Sequence, residues 1–295
     1  MAAARSASRP RVALVLGAGG LRCVSAFGAL SVLRREGIEI DLIVACSGGA
    51  AVGYWIAAGG TDIDEGIAHY TEGMARSFGA FSYRQALRAV FARWLGHDRK
   101  FGLMQDRAFN AFARARMQGI RFEDLKIPLH LVAADLARGE QVVLSRGPVF
   151  DAMRASLAIP LVLPPWEVDG RLLVDGGICN PMPVDVAMRE GAHVILAIGF
   201  EDPLQPQIDS GVALVRQVLA VSANHLMRAQ FAFHNLSHHA EIIPVMPDFG
   251  RIVGLRDLHL IPQLVREGEE ATERELPYLR RLLRRPSGTT EGMPA

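Results

Sequence analysis

The sequence predicts an α/β fold: a mostly parallel sheet flanked by helices in a three-layer sandwich. Three observations lead there. Short, continuous apolar runs recur and end in glycine clusters, as buried parallel strands do. Stretches of helical spacing alternate with them from the N-terminus onward, a βαβα beginning. Half of the 295 residues are hydrophobic, enough for a large core.

Val12 to Leu16 is the first apolar run, and Gly17-Ala18-Gly19-Gly20 makes a tight loop after it. A helix then carries Val24, Phe27, Leu30 and Leu33 on one face, and Gly37 stops it. Asp41 to Cys46 is the second strand, running through Ser47-Gly48-Gly49 into a small apolar helix that ends at Gly59-Gly60. Asp62 and Asp64 read as the cap and first-turn acid of the next helix. Residues 61 to 126 are mostly helical by pattern. Strands return at Leu129 to Ala133 and Gln141 to Leu144, with Asp135 as a turn residue after the first. Trp166 to Val168 and Leu172 to Val174 flank Asp169-Gly170, a two-residue hairpin signal. A helix from Val184 to Gly191 precedes a strand, His193 to Ile198. Two long helices, 208 to 236 and 260 to 284, enclose a strand near Ile242 to Val245. No linker composition interrupts this order. The expectation is one domain over residues 11–285, with tails at 1–10 and 286–295.

Composition excludes several classes. The formal net charge of +1 gives no argument for nucleic acid. Cys23, Cys46 and Cys179 are too few, and odd in number, for a disulfide framework. They suit a reducing compartment, so the expected location is cytoplasmic. No signal-peptide h-region and no run of about 18 apolar residues is present, so no membrane span is expected.

The chemistry concentrates in three places. Ser47 sits where an apolar strand turns into a helix, with Ala45 two before and Gly49 two after. That is a nucleophile elbow, G-x-S-x-G with its first glycine changed to alanine. A serine in a plain turn is the simpler reading of this motif alone. The loop Gly17 to Arg22 can offer backbone N–H donors to an oxyanion, because glycines leave those donors unobstructed. The rival, a dinucleotide loop, lacks its glycine at Arg22 and its acidic residue after the next strand. Asp175-Gly176-Gly177 ends the hairpin; it is either a turn or the general base for Ser47.

In this order the three pieces resemble the patatin-like phospholipase family, in its bacterial branch related to neuropathy target esterase. Further stretches share the likeness: Phe122 to Pro128, Ala155 to Pro160 and Asn180 to Val184. The resemblance covers residues 11 to about 201. It implies a patatin-like sandwich and a serine esterase acting on acyl esters of lipids. Ser47 and Asp175 would form a catalytic dyad without histidine, metal or cofactor. Gly17, Gly19, Gly20 and Arg22 would form the oxyanion loop, Arg22 through its own N–H and its charge. Ala45 and Gly49 would flank the elbow, and Gly176 and Gly177 would follow the base. Two departures stand out. Cys23 occupies a position that is usually glycine, and Ala45 replaces the elbow's first glycine. The alternatives are an acyltransferase using the same dyad with a non-water acceptor, and a non-catalytic lipid-binding module.

Weaker signals have plainer readings. Leu87, Val90, Phe91, Trp94 and Leu95 form a stripe among Arg84, Arg88, Arg93, Arg99 and Lys100. It reads first as a core face with a solvated basic side, and second as peripheral contact with an anionic membrane. His234 and His238 have zinc-ligand spacing, with His239 beside them. No HExxH glutamate lies between, so a solvated helix face is the simpler reading. Cys46 reads as buried packing.

Overall fold

The computed structural model describes residues 9–77, 102, 104, 106–237 and 240–284. The strands are β1 (Val12–Leu16), β2 (Leu42–Cys46), β3 (Leu129–Asp135), β4 (Glu140–Leu144), β5 (Trp166–Val168), β6 (Arg171–Asp175), β7 (Val194–Ile198) and β8 (Glu241–Val245). The described helices are α1 (Ser25–Arg35), α2 (Gly48–Ala57), α3 (Ile63–Ser77), α4 (Arg107–Met117), α5 (Val149–Ser156), α6 (Val184–Arg189), α7 (Gly211–Ser237) and α8 (Ile261–Leu283).

All eight described strands join one sheet. Five of them, β3, β2, β1, β7 and β8, lie side by side and parallel. On the other flank β4 and β6 run antiparallel to β3, and β5 antiparallel to β6. The alternation along a strand builds the layers. Val12, Leu14 and Leu16 of β1 face a core shared with α1, α2, α5 and α8. Ala13 and Val15 face the opposite core, with Val184 and Val186 of α6 and Met227 of α7. Both faces of the central strands are therefore covered, and that is why they read as unbroken apolar runs. The mostly parallel sheet with helices on both sides is the architecture expected from sequence.

Most elements fall where the sequence put them, with instructive differences. The Gly17 loop enters a short 3₁₀ turn, Gly20–Val24, before α1 begins. Gly37 stops α1 in the left-handed conformation, at φ 64°. Asp169 and Gly170 both have positive φ, as a two-residue hairpin turn of primed type needs. Asp62 accepts the N–H groups of Asp64 and Glu65, as expected of a cap. Asp135 is more than a turn former: it accepts from Ala137 and Arg138 and also pairs with Arg171 at 2.7 Å. Helix α5 has no counterpart in the sequence reading. Arg9, expected in the N-terminal tail, instead holds Asp41 through two hydrogen bonds. The stripe from Leu87 to Leu95, with Arg84, Arg88, Arg93, Arg99 and Lys100, lies outside the described residues, as do His238, His239 and the side chain of His234.

Helices α1 and α8 pack at glycines. A Cβ on Gly28 would fall 2.0 Å from the Val265 carbonyl oxygen, and one on Gly268 2.0 Å from that of Ser25. Two backbones touch there, so no methyl group fits. Gly28→Ala and Gly268→Ala are expected to destabilise by about 1–3 kcal/mol, although alanine is the better helix former. Urea unfolding measures this; an unchanged midpoint would mean that the helices separate freely.

Candidate active site

The site is assembled at one point along β3. The register pairs Cys46 of β2 with Val132, and Asp175 of β6 with Ala133. Strand β4 occupies the other edge of β3 across both residues. Strands β2 and β6 therefore share a single edge and run towards each other until they meet. Ser47 follows the end of one, and Asp175 is the end of the other. Residues 128 apart in sequence become neighbours, and Ser47 Oγ donates to Asp175 Oδ2 at 2.5 Å.

Ser47 has the strained backbone of an elbow, φ 55° and ψ −131°. Its N–H donates to Ser156 Oγ at 3.0 Å, and Ser156 in turn donates to the Val132 carbonyl at 2.7 Å. One hydroxyl thus satisfies both the elbow amide and the carbonyl left where β2 departs. Arg154, two residues earlier on α5, is fully buried. It donates to Asn110, Asp106 and the Pro164 carbonyl, fixing the helix that presents Ser156. The elbow also needs close approach. A Cβ on Gly49 would sit 2.5 Å from the Leu16 carbonyl oxygen. Ala45 is accommodated because its neighbour across the strand–helix contact is Gly53, whose missing Cβ would lie 3.0 Å away.

Asp175 is buried, and each of its oxygens has work. Oδ1 accepts the Gly177 N–H at 2.8 Å and lies 3.8 Å from the Cys46 thiol, leaving Oδ2 for Ser47. Burial raises its pKa from 3.8 to about 6, and the hydrogen bonds from Ser47, Gly177 and Cys46 oppose that rise. Burial likewise raises the thiols: Cys46 well up, Cys23 to about 12 and Cys179 to about 11. All three cysteines are free thiols. Among the described residues, no histidine hydrogen-bonds to Ser47 or Asp175, and no cluster of three or more His, Cys, Asp or Glu could hold a metal ion.

The glycine loop is tied down from behind. Gly17 N–H donates to Ile198 and Ala18 N–H to Pro181. Tyr70 OH donates to the Gly20 carbonyl. Arg22 differs from expectation. Its N–H is already bonded to the Gly19 carbonyl. Its guanidinium, stacked over Phe200, reaches the Gly19 carbonyl, the Glu201 carbonyl and Asp202. Both its donors and its charge are thus spent on holding the loop. The amides of Gly19 and Gly20 have no partner among the described residues, and neither has that of Gly48 at the start of α2. Cys23 packs beneath this region: hypothetical Cβ atoms on Gly19 and Gly48 would lie 3.1 and 3.0 Å from its Sγ.

A cleft of about 340 Å³ opens on to Ser47, Asp175, Gly19 and Gly20, with α7 as its far wall. A separate apolar cavity of about 100 Å³ begins at Gly48 and is walled by Phe27, Trp55, Tyr70, Phe109, Phe112 and Met153. The sequence reading missed Ser156, Tyr70 and Arg154. Of these only Ser156 lay in a stretch marked by likeness, and nothing in that stretch assigned it a role.

The sheet thus brings an elbow serine against a buried aspartate, beside glycine amides that have no partner among the described residues. The patatin-like phospholipase family model matches residues 14–188, more than half of the chain, and the chain belongs to that family. An uncharacterised NTE family protein of Mycobacterium tuberculosis is 37% identical over 196 residues, 66% of this chain and 51% of its own. Human patatin-like phospholipase domain-containing protein 6 is 33% identical over 189 residues, 63% of this chain and 13% of its own. The chain therefore spans about half the length of its mycobacterial relative. No described helix is long and apolar enough to cross a membrane.

Two stability experiments follow. Ser156→Ala strands the Ser47 amide and the Val132 carbonyl and should cost about 1–3 kcal/mol in denaturant unfolding. Unchanged stability would mean that solvent serves both groups. Asp175 has a folded pKa above its unfolded value, so the native state binds the proton more tightly. That stabilisation is full below about pH 4 and is lost as pH rises through about 6. Asp175→Asn mimics the protonated acid. It should match wild type near pH 4 and exceed it at pH 8, by up to about 3 kcal/mol for a shift of this size. A variant less stable than wild type at pH 8 would overturn this account.

Proposed function

We propose that the chain is a serine esterase that hydrolyses acyl esters of lipids through Ser47 and Asp175. The 2.5 Å contact between Ser47 Oγ and Asp175 Oδ2, at the floor of a cleft beside unpartnered amides, carries the proposal. Ser47 Oγ attacks the ester carbonyl carbon, and its proton passes to Asp175. The oxyanion that forms is met by the amides of Gly19, Gly20 and Gly48. The tetrahedral adduct collapses, and the leaving alkoxide takes the proton from Asp175. Water, giving its proton to Asp175, then attacks the acyl-serine; the second adduct collapses, Ser47 Oγ takes that proton back from Asp175, and the fatty acid leaves. A carboxyl raised to about 6 suits this work, since a stronger base draws the serine proton better yet remains ionised at neutral pH. The lipid class of the ester is supported by the family and by the apolar, aromatic-walled lining of the cavity at Gly48.

The test is acid release from short and long acyl nitrophenyl esters. Wild type should turn over. Ser47→Ala and Asp175→Asn, shown to be folded by circular dichroism, should lose at least about a hundredfold in kcat/KM. Because the base must be ionised, wild-type kcat/KM should fall as pH drops through about 6. A folded wild type inert on every ester would remove hydrolysis and leave acyl transfer to another acceptor.

A further inference from the structure

The glycine loop is gripped by the chain that leaves β7. Residues 198–202 meet it at both ends. The Ile198 carbonyl accepts the Gly17 N–H at 2.9 Å. The Phe200 ring lies against Gly19, where a Cβ would come within 2.3 Å of it. The Glu201 carbonyl and the Asp202 carboxylate both accept from the Arg22 guanidinium. Arg22 passes this grip back to the loop: its Nε and its own N–H donate to the Gly19 carbonyl at 3.2 and 3.1 Å. A trans peptide is planar, with its carbonyl and its N–H pointing opposite ways. Fixing the Gly19 carbonyl therefore fixes the direction of the Gly20 N–H, which has no partner among the described residues.

Helix α7 anchors this segment from its far side. Asn224 closes two hydrogen bonds on the backbone of Asp202. Its Oδ1 accepts the Asp202 N–H at 2.8 Å, and its Nδ2 donates to the Asp202 carbonyl at 2.9 Å. One turn later Arg228 pairs with Glu201, but both side chains are exposed and such a pair contributes little. Asn224 is buried, so its two bonds are the firmer anchor. The Arg22 side chain is only 10% exposed, and Asp202 neutralises it. A rigid guanidinium fork occupied in this way is a strut between segments.

We infer that Asp202 and Asn224 are positioning residues for the reaction: through Arg22 they hold the Gly19–Gly20 peptide so that the Gly20 N–H is aimed at the oxyanion. The inference rests on the hydrolase reading above and extends the site to α7. A donor contributes to catalysis only when it is aimed at the place where charge develops.

The experiment uses the full chain with Asp202→Ala, Asp202→Asn and Asn224→Ala. Each is assayed on a short acyl nitrophenyl ester, and 15N relaxation of the Gly20 amide is measured on the same proteins. In the two alanine variants kcat should fall about tenfold with KM unchanged, the mark of an interaction made only in the transition state. Asp202→Asn keeps an oxygen for Arg22 without the charge, and should recover most of that loss. The Gly20 order parameter should be about 0.85 in wild type and Asp202→Asn, and below about 0.6 in the alanine variants. The inference is overturned if the alanine variants keep the wild-type kcat or change KM instead. It is equally overturned if Asp202→Asn loses as much as Asp202→Ala, or if Gly20 stays rigid throughout. Should Asp202→Ala fail to fold, Asn224→Ala carries the same comparison. A wild type inert on every ester would sink the hydrolase reading, and Gly20 relaxation would then decide by itself whether Asp202 and Asn224 hold the amide.

Discussion

The site depends on a change of partner along one edge of β3. Strand β2 accompanies that edge as far as Val132, and β6 takes it over at Ala133 from the opposite direction. A parallel and an antiparallel neighbour cannot share the same hydrogen-bonding positions, so one must stop where the other ends. Ser47 and Asp175 are the residues at that junction. The peptide groups freed there cannot stay unpaired in a dry interior. Ser156 joins the Ser47 amide to the Val132 carbonyl, and the Ala158 carbonyl accepts the Asp175 amide. Slippage of β6 by one residue would turn the Asp175 carboxyl to the other face of the sheet.

The glycine loop follows the same logic of occupied carbonyls and free amides. Tyr70 and Arg22 take the carbonyls of Gly20 and Gly19, and the carbonyls of Ile198 in β7 and of Pro181 take the amides of Gly17 and Ala18. What remains is a small set of N–H groups beside Ser47, fixed before any substrate arrives. Donors held in this way need no reorganisation to meet the charge that the proposed reaction develops. The close packing explains why glycine recurs here. Side chains at 19, 48 or 49 would collide with Phe200, with the Gly20 carbonyl or with the Leu16 carbonyl.

Stability is set against chemistry at both members of the pair. Ser47 is held in a backbone region that side chains disfavour. Asp175 is buried where ionisation is costly, and its few hydrogen bonds only partly offset that cost. Both local penalties persist because the surrounding core is large and covers both faces of the sheet. Cys46 illustrates how tightly the neighbourhood is committed. Burial keeps its thiol protonated, so it contributes a weak donor to Asp175 and no rival nucleophile.

The sequence by itself determined the architecture and pointed to Ser47 and Asp175. Unbroken apolar runs ending in glycine clusters are legible because both faces of a parallel strand are buried, and Asp169-Gly170 is legible because its turn needs positive φ. Ser47 and Asp175 were legible because an elbow and a strand-ending aspartate leave local marks. Tertiary structure alone decided what holds them. Ser156 is an ordinary serine until α5 brings it against Val132, and Tyr70 an ordinary core aromatic until its hydroxyl meets Gly20. Arg22 looked like a donor to the oxyanion until the fold supplied Glu201 and Asp202 for it to bind. Helix α7 likewise becomes a wall of the site only when the fold sets it across the cleft from Ser47. Local pattern records what a residue needs from its own segment; a hydrogen bond between distant segments leaves no periodicity in either of them.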